Sequence, residues 1–233
     1  MNSTNIKIFG LPFAGGSKYS FQRFSNEINN LIVFEYSGRS SRIREPFIID
    51  IKLLIEDILQ KLKTEIGSSN EDYIIYGHSM GALVGYLICQ QIEELGLKKP
   101  QKLVVSGKKA PSVERELKIS HLGDNEFWQE VVKLGGIPDE LRNHPELIEF
   151  YTPILKADFS VIENYRYEKK QKLTIPIDVF YGSEEAQVNE MLGWKEESTE
   201  KVTINQMEGN HFFIFDHTDF FISYFKNIKR TVQ

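Results

Sequence analysis

Residues 74 to 88 read IIYGHSMGALVGYLI, an apolar segment broken at its centre by Gly77, His78, Ser79, Met80 and Gly81. Strand-forming residues precede the break and helix-forming residues follow it. Gly-x-Ser-x-Gly on a strand-to-helix turn can hold one hydroxyl exposed in a strained backbone conformation. A Cβ at Gly77 or Gly81 would crowd the strand or the helix, so both flanking positions call for glycine. The turn also leaves the Met80 N–H free at a helix N-terminus, where it can stabilise a developing oxyanion. Ser79 is thus the candidate nucleophile; the plainer reading is an ordinary turn that happens to contain a serine.

A serine hydroxyl attacks well only when a base takes its proton. The chain has five histidines, at 78, 121, 144, 211 and 217. His78 adjoins Ser79, and its side chain is expected to point away across the turn. His121 and His144 fall in a helical stretch where a surface or packing role is the default. His211, in MEGNHFFIF, follows the last strand and precedes the last helix, which brings it to the carboxyl edge of a sheet beside Ser79. His217 is expected inside that last helix and outside the cleft. His211 is the candidate base. None of the histidine spacings matches a metal-ligand pattern, so no metal and no other cofactor is expected.

The acid that orients the imidazole should end a strand between the serine and the histidine. The strand after the nucleophile helix ends VVSGKKAP and offers no carboxylate. The next ends IDVFYGSEEAQV and offers two. Glu185 is the candidate acid and Glu184 its solvated neighbour; Asp178 lies inside the strand and too early.

These three residues need a scaffold, and the rest of the chain describes one. Apolar runs at Ile6–Leu11, Leu31–Tyr36, Tyr73–Tyr76, Lys102–Ser106, Ile177–Tyr181 and Lys201–Asn205 predict strands, several without polar alternation. Such runs suit strands covered on both faces. Ile51, Leu54, Ile55, Ile58, Leu59, Leu62 and Ile66 recur at helical spacing. Met80 to Leu95 and the Phe212–Ile228 region predict two further helices. Strands alternating with helices imply an α/β fold with a mostly parallel central sheet flanked by helices. From about 112 to 170 the alternation stops, and only helical pieces appear: Glu126–Leu134, Pro145–Tyr151 and Pro153–Arg166. This insertion is expected to form a lid over the site or to be a helical subdomain that only packs. Phe127, Trp128, Phe150, Tyr151 and Phe159 within it are candidates to line a substrate channel, although aromatics at helical spacing usually form core.

At 233 residues, with no internal repeat or low-complexity linker, residues 1–233 fit one domain. A net charge of −5 gives no electrostatic reason to expect a nucleic-acid partner. Cys89, the only cysteine, lies in an apolar run and reads as a small core residue, and no internal disulfide can form. The N-terminus shows neither a signal-peptide pattern nor a spanning helix, so a cytoplasmic protein without a membrane partner is expected. It is also expected to be a monomer.

Several segments together resemble the type II thioesterases that accompany non-ribosomal peptide and polyketide synthases, members of the α/β-hydrolase superfamily. LPFAGGSKYSFQRF resembles the family's opening segment and GHSMGALVGY its nucleophile elbow. VSGKKAP, LGGIPDELRNHPEL and PILKADFSVIENY resemble its strand end and lid segments, and GNHFFIF its histidine loop. The resemblance runs nearly the whole length of the chain. It implies an α/β-hydrolase fold with a helical lid, with Ser79 as nucleophile, His211 as base and Glu185 as acid. It also implies an oxyanion hole from the Met80 and Phe13 N–H groups, with Ala14 as the competing neighbour. The implied substrate is an acyl group on the 4′-phosphopantetheine of a carrier protein, removed as an editing step. Two departures stand out. The family usually has aspartate where this chain has Glu185, and proline where YSGRSSR has Ser37. Arg39 and Arg42 in that segment are expected in structural ion pairs rather than on a phosphate. A carboxylesterase or lipase acting on oxygen esters, and a non-catalytic protein sheltering acyl chains, are the rival readings.

Overall fold

The computed structural model describes residues 6–67, 71–113, 118–135 and 144–228. Strands β1 (Lys7–Leu11), β2 (Leu31–Val33), β3 (Tyr73–His78), β4 (Leu103–Ser106), β5 (Ile177–Gly182) and β6 (Val202–Met207) form one sheet, ordered β2-β1-β3-β4-β5-β6. Every neighbouring pair is parallel. All carboxyl ends therefore lie along one edge, where register sets Leu11 beside Gly77, His78 beside Ser106 and Gly182 beside Met207. The strand order reverses at β1, and the crevice beside such a reversal is where open α/β sheets bind ligands.

The uninterrupted apolar runs are explained by two cores. Phe9, Leu11, Tyr73, Ile75, Leu103, Val105, Ile177 and Val179 face one core, whereas Ile8, Ile74, Tyr76, Val104 and Phe180 face the other. Successive strand residues point to opposite faces, so a sheet covered on both sides needs apolar residues at every position. On the first face pack α2 (Ile51–Ile66) and α3 (Met80–Glu94), through Leu54, Ile58, Leu62, Val84, Ile88 and Ile92. Asp50 caps α2 by accepting from the Lys52 and Leu53 N–H groups. The other face is covered by α1 (Gln22–Glu27) and the C-terminal helices, through Phe21, Phe24, Phe221 and Phe225.

The predicted strand at Leu31–Tyr36 is shorter than expected, ending at Val33. Beyond it Tyr36 turns inward, and its hydroxyl donates to the Pro12 carbonyl at 3.0 Å.

Between β4 and β5 stand α4 (Asp124–Lys133) and α5 (Pro145–Asn164). The two pieces predicted at Pro145–Tyr151 and Pro153–Arg166 are one continuous helix with Pro153 inside it. A mid-helix proline frees the carbonyl four residues back; here that residue is Glu149, which is exposed to water. Ile119, Phe127, Trp128, Val131, Leu155 and Phe159 form a separate core between the insertion's segments. The Trp128 indole N–H donates to Thr152 Oγ1 at 2.6 Å, fixing α4 to α5. Part of LGGIPDELRNHPEL, residues 136–143, lies outside the described residues.

After β5 follow α6 (Val188–Met191), then β6, α7 (Phe213–Asp216) and α8 (Thr218–Lys226). The single helix expected over Phe212–Ile228 is therefore two, broken at His217. His217 is not inside a helix but between two, and its Nε2 pairs with the Glu208 carbonyl at 2.8 Å.

Candidate active site

Ser79 is the N-cap of α3, between β3 and the helix, with φ 55° and ψ −113°. That backbone conformation is costly for any residue with a Cβ, on the order of 1–3 kcal/mol, and persists only where the surroundings enforce it. The enforcing contacts are visible. A Cβ on Gly77 would sit 2.0 Å from the Gly81 carbonyl oxygen, and one on Gly81 would sit 2.0 Å from that of Leu11. Strand β3, helix α3 and the end of β1 thus meet backbone to backbone, and the chain has no room to relax around Ser79. The Ser79 N–H is tied to the Ser106 carbonyl of β4 at 2.8 Å.

His211 arrives from the loop after β6. Its Nε2 lies 2.9 Å from Ser79 Oγ, and its Nδ1 lies 2.5 Å from Glu185 Oε1. A carboxylate only accepts, so Nδ1 carries the proton and Nε2 is left to accept from the serine hydroxyl. The acid's turn and the histidine's loop are laced together. Ser183 N–H donates to the Met207 carbonyl at 2.8 Å, Glu184 N–H to the Gly209 carbonyl at 3.0 Å, and Gly209 N–H to Ser183 Oγ at 3.2 Å. Glu184 itself is exposed. The extra methylene of glutamate is taken up by the side chain folding back over its own turn, where Oε2 accepts from the Gly182 N–H at 3.4 Å. Asp178 is occupied elsewhere, accepting from Lys102, Thr203 and Tyr224.

His78 is fully buried rather than idle. Its Nδ1 pairs with Ser106 Oγ at 2.9 Å, and its ring lies 5.0 Å from that of His211, centroid to centroid. Burial first, and the neighbouring His211 second, push its pKa well below the ordinary histidine value. It is a neutral wall against the His211 ring. The sequence reading missed this role, and it also missed Gly107, whose backbone (φ 63°) runs against both imidazoles. The available signal was the glycine immediately after strand β4.

The Met80 N–H stands in the first turn of α3, among the amides that have no intrahelical acceptor. Phe13 follows β1, with its ring edge-on to His78 at 5.8 Å and to Phe212 at 5.1 Å. Of the proposed channel aromatics, Phe127, Trp128 and Phe159 are buried in the insertion's own core, Tyr151 packs against that core and Phe150 is exposed. His121 and His144 are exposed on the insertion. Cys89 is buried in the core, and burial pushes its thiol well above the usual range. Arg42 pairs with Glu45 and Asp57, and Arg39 with Asp158. Among the described residues, no cluster of His, Cys, Asp and Glu could hold a metal ion, and no helix is long and apolar enough to cross a membrane.

The model of the thioesterase domain family matches residues 6–228. The chain belongs to the thioesterase family. This thioesterase is 34% identical over 212 residues to the probable anguibactin biosynthesis thioesterase AngT of Vibrio anguillarum, covering 87% of this chain and 83% of that one. Over 216 residues it is 29% identical to thioesterase PikA5 of Streptomyces venezuelae, covering 91% and 76%. Its fold superposes on the crystal structure of ClbQ from the colibactin NRPS/PKS pathway with a TM-score of 0.86 and 30% identity, covering 94% and 95%. The parallel six-stranded sheet flanked by helices is accordingly the α/β-hydrolase fold of type II thioesterases, and the thioesterase is a hydrolase.

Proposed function

We propose that this thioesterase releases acyl groups from the 4′-phosphopantetheine of carrier proteins, using Ser79 as nucleophile, His211 as general base and Glu185 as the orienting acid. The observation that carries the reading is the unbroken chain of hydrogen bonds from Ser79 Oγ through His211 to Glu185. Ser79 Oγ attacks the thioester carbonyl carbon while His211 Nε2 takes the hydroxyl proton. The imidazolium is stabilised by the Glu185 carboxylate. The Met80 and Phe13 N–H groups receive the oxyanion, as donors set in advance of the reaction. Collapse of the tetrahedral adduct breaks the C–S bond, and the thiolate leaves with the proton held by His211. Water then attacks the acyl-serine with His211 again as base; the bond from the acyl carbon to Ser79 Oγ breaks, His211 returns the proton to Oγ, and a free carboxylic acid departs. The insertion built from α4 and α5 serves as the lid over this site.

AngT and ClbQ are named for biosynthetic pathways, and an editing role beside a modular synthase is the corresponding place for this chain. The net charge of −5 disfavours docking an acidic carrier protein by bulk attraction, so docking rests on apolar contacts.

The test compares acyl-carrier-protein and acyl-N-acetylcysteamine thioesters with matched oxygen esters. Wild type is expected to release free acid faster from the thioesters and to be labelled at Ser79 by a fluorophosphonate. Thioester hydrolysis by Ser79→Ala at the wild-type rate would overturn the assignment, and a preference for oxygen esters would make the protein an esterase.

A further inference from the structure

The segment after β1, residues 13 to 16, is held by groups that the triad does not use. Asp158, on the lid helix α5, accepts the Gly15 N–H at 2.7 Å through Oδ2. The same oxygen accepts from Arg39 Nη1 at 2.7 Å, and Oδ1 accepts from Arg39 Nη2 at 2.6 Å. Arg39 Nη1 donates in addition to the Gly16 carbonyl at 3.1 Å. Both charged side chains are almost wholly buried, at 3% exposure for Asp158 and 4% for Arg39. One turn before Asp158, Leu155 packs so tightly over Gly15 that a Cβ there would come within 2.6 Å of it, at a backbone φ of 77°. Ala14 packs against the insertion's core. From the body side, the Tyr36 hydroxyl holds the Pro12 carbonyl, and Glu35 accepts the Lys18 N–H at 3.3 Å.

A buried ion pair adds little to stability compared with apolar residues of the same size, so its presence calls for another reason. Here both members spend hydrogen bonds on the two residues that follow Ala14. We propose that Asp158 and Arg39 are positioning residues that hold the Phe13–Gly16 loop in its oxyanion-binding conformation, so that seating of the lid helix and competence of the oxyanion hole are one event. The inference rests on the reading of Phe13 as an oxyanion donor. Neither side chain needs to touch the substrate. Asp158 reaches the loop from the lid, and Arg39 reaches it from the body; the loop is set only when both are in place.

The deciding variant is the double replacement Arg39→Met with Asp158→Leu, which removes both buried charges and fills their space with apolar groups. It is compared with wild type on an acyl-N-acetylcysteamine thioester. The readouts are kcat, KM, thermal midpoint and affinity for an acyl trifluoromethyl ketone, whose tetrahedral adduct places an oxyanion where the reaction does. A melting point near wild type is expected, with kcat lower by about 10²–10³, the effect of losing one oxyanion donor. Ketone affinity falls by the same factor and KM changes less than threefold. A double variant that is folded and within threefold of wild-type kcat overturns the proposal. So does a loss of kcat that leaves ketone affinity unchanged.

Should the double variant not fold, Asp158→Asn decides. Its activity per folded molecule, from active-site titration, must fall at least tenfold together with ketone affinity; an unchanged value overturns the inference. The wild-type enzyme in the same assay separates this outcome from failure of the hydrolytic reading, which would show as no thioester turnover in any protein tested.

Discussion

Glu185 Oε1 lies 2.5 Å from His211 Nδ1, while Glu184, its neighbour in the same turn, is exposed. Replacing the carboxylate by an amide removes the acceptor that keeps the proton on Nδ1. Glu185→Gln is therefore expected to lower kcat by about 10³–10⁴, as loss of the acid does in related triads. Glu184→Gln should leave kcat within about twofold. Steady-state thioester hydrolysis by the two variants checks the pair, and the opposite ranking would move the acid one residue upstream.

Ser79 is held at φ 55° and ψ −113°. Alanine keeps a Cβ in that strained conformation and glycine does not, so the usual order of the two residues reverses here. Ser79→Gly is expected to melt at least about 2 °C above Ser79→Ala, which corresponds to roughly 1 kcal/mol in a domain of this size. Both variants lose thioester turnover. Calorimetry on the two purified proteins reads the difference, and an equal or lower melting point for the glycine variant would deny the strain.

Gly107 combines φ 63° with contact on both imidazoles: a Cβ there would lie 2.5 Å from His78 Cε1 and 3.2 Å from His211 Cε1. Gly107→Ala should destabilise the fold by about 1–3 kcal/mol, from backbone strain and overpacking together. Because the rings must move, kcat should fall by at least about tenfold in the molecules that remain folded, small displacements of a base being costly. Denaturant titration and kcat corrected for the folded fraction test both halves. A fall in stability alone would show that His211 does not depend on this packing.

The pKa of His78 is depressed by burial, so the unfolded chain binds its proton more readily than the folded one. The sign follows. Above an unfolded pKa of about 6.5 neither state is protonated, and His78 has no effect on the pH dependence. As pH falls below that value the unfolded state gains a proton that the folded state refuses, and stability declines. His78→Asn, which keeps a polar partner for Ser106 without a titrating ring, should flatten the decline. Thermal midpoints from pH 7.5 down to pH 4.5 for the two proteins compare the slopes; parallel curves would mean that other groups dominate.

Much of the site was legible because its chemistry constrains residue type locally. Gly77 and Gly81 declare a tight elbow around Ser79 by themselves, since a Cβ at either position would lie 2.0 Å from a neighbouring carbonyl oxygen. His211 and Glu185 were reachable because each follows a strand in an alternating pattern, and parallel strands deliver their carboxyl-end loops to one edge. Helix ends were less legible. Pro153 reads as a boundary because it lacks an N–H, yet the packing of Leu155 and Phe159 against Phe127 carries α5 through it. The break at His217 falls at the polar stretch Asp216–Asp219 between two apolar runs, too short an interruption to separate two helices by pattern alone.

The amino-acid sequence by itself determined the alternation of strands and helices, the two-sided apolar character of the sheet and the identity of the serine, histidine and acid candidates. Those features follow from short-range rules: side-chain period, turn sterics and the order of elements. The tertiary structure alone decided that His78 backs His211, that Gly107 lies against both imidazoles, and that Asp158 and Arg39 converge on Gly15 and Gly16. Asp158 and Gly15 are separated by 143 residues. Only packing of helix α5 onto the loop after β1 brings them together, and no local pattern encodes a contact between segments so far apart in the chain.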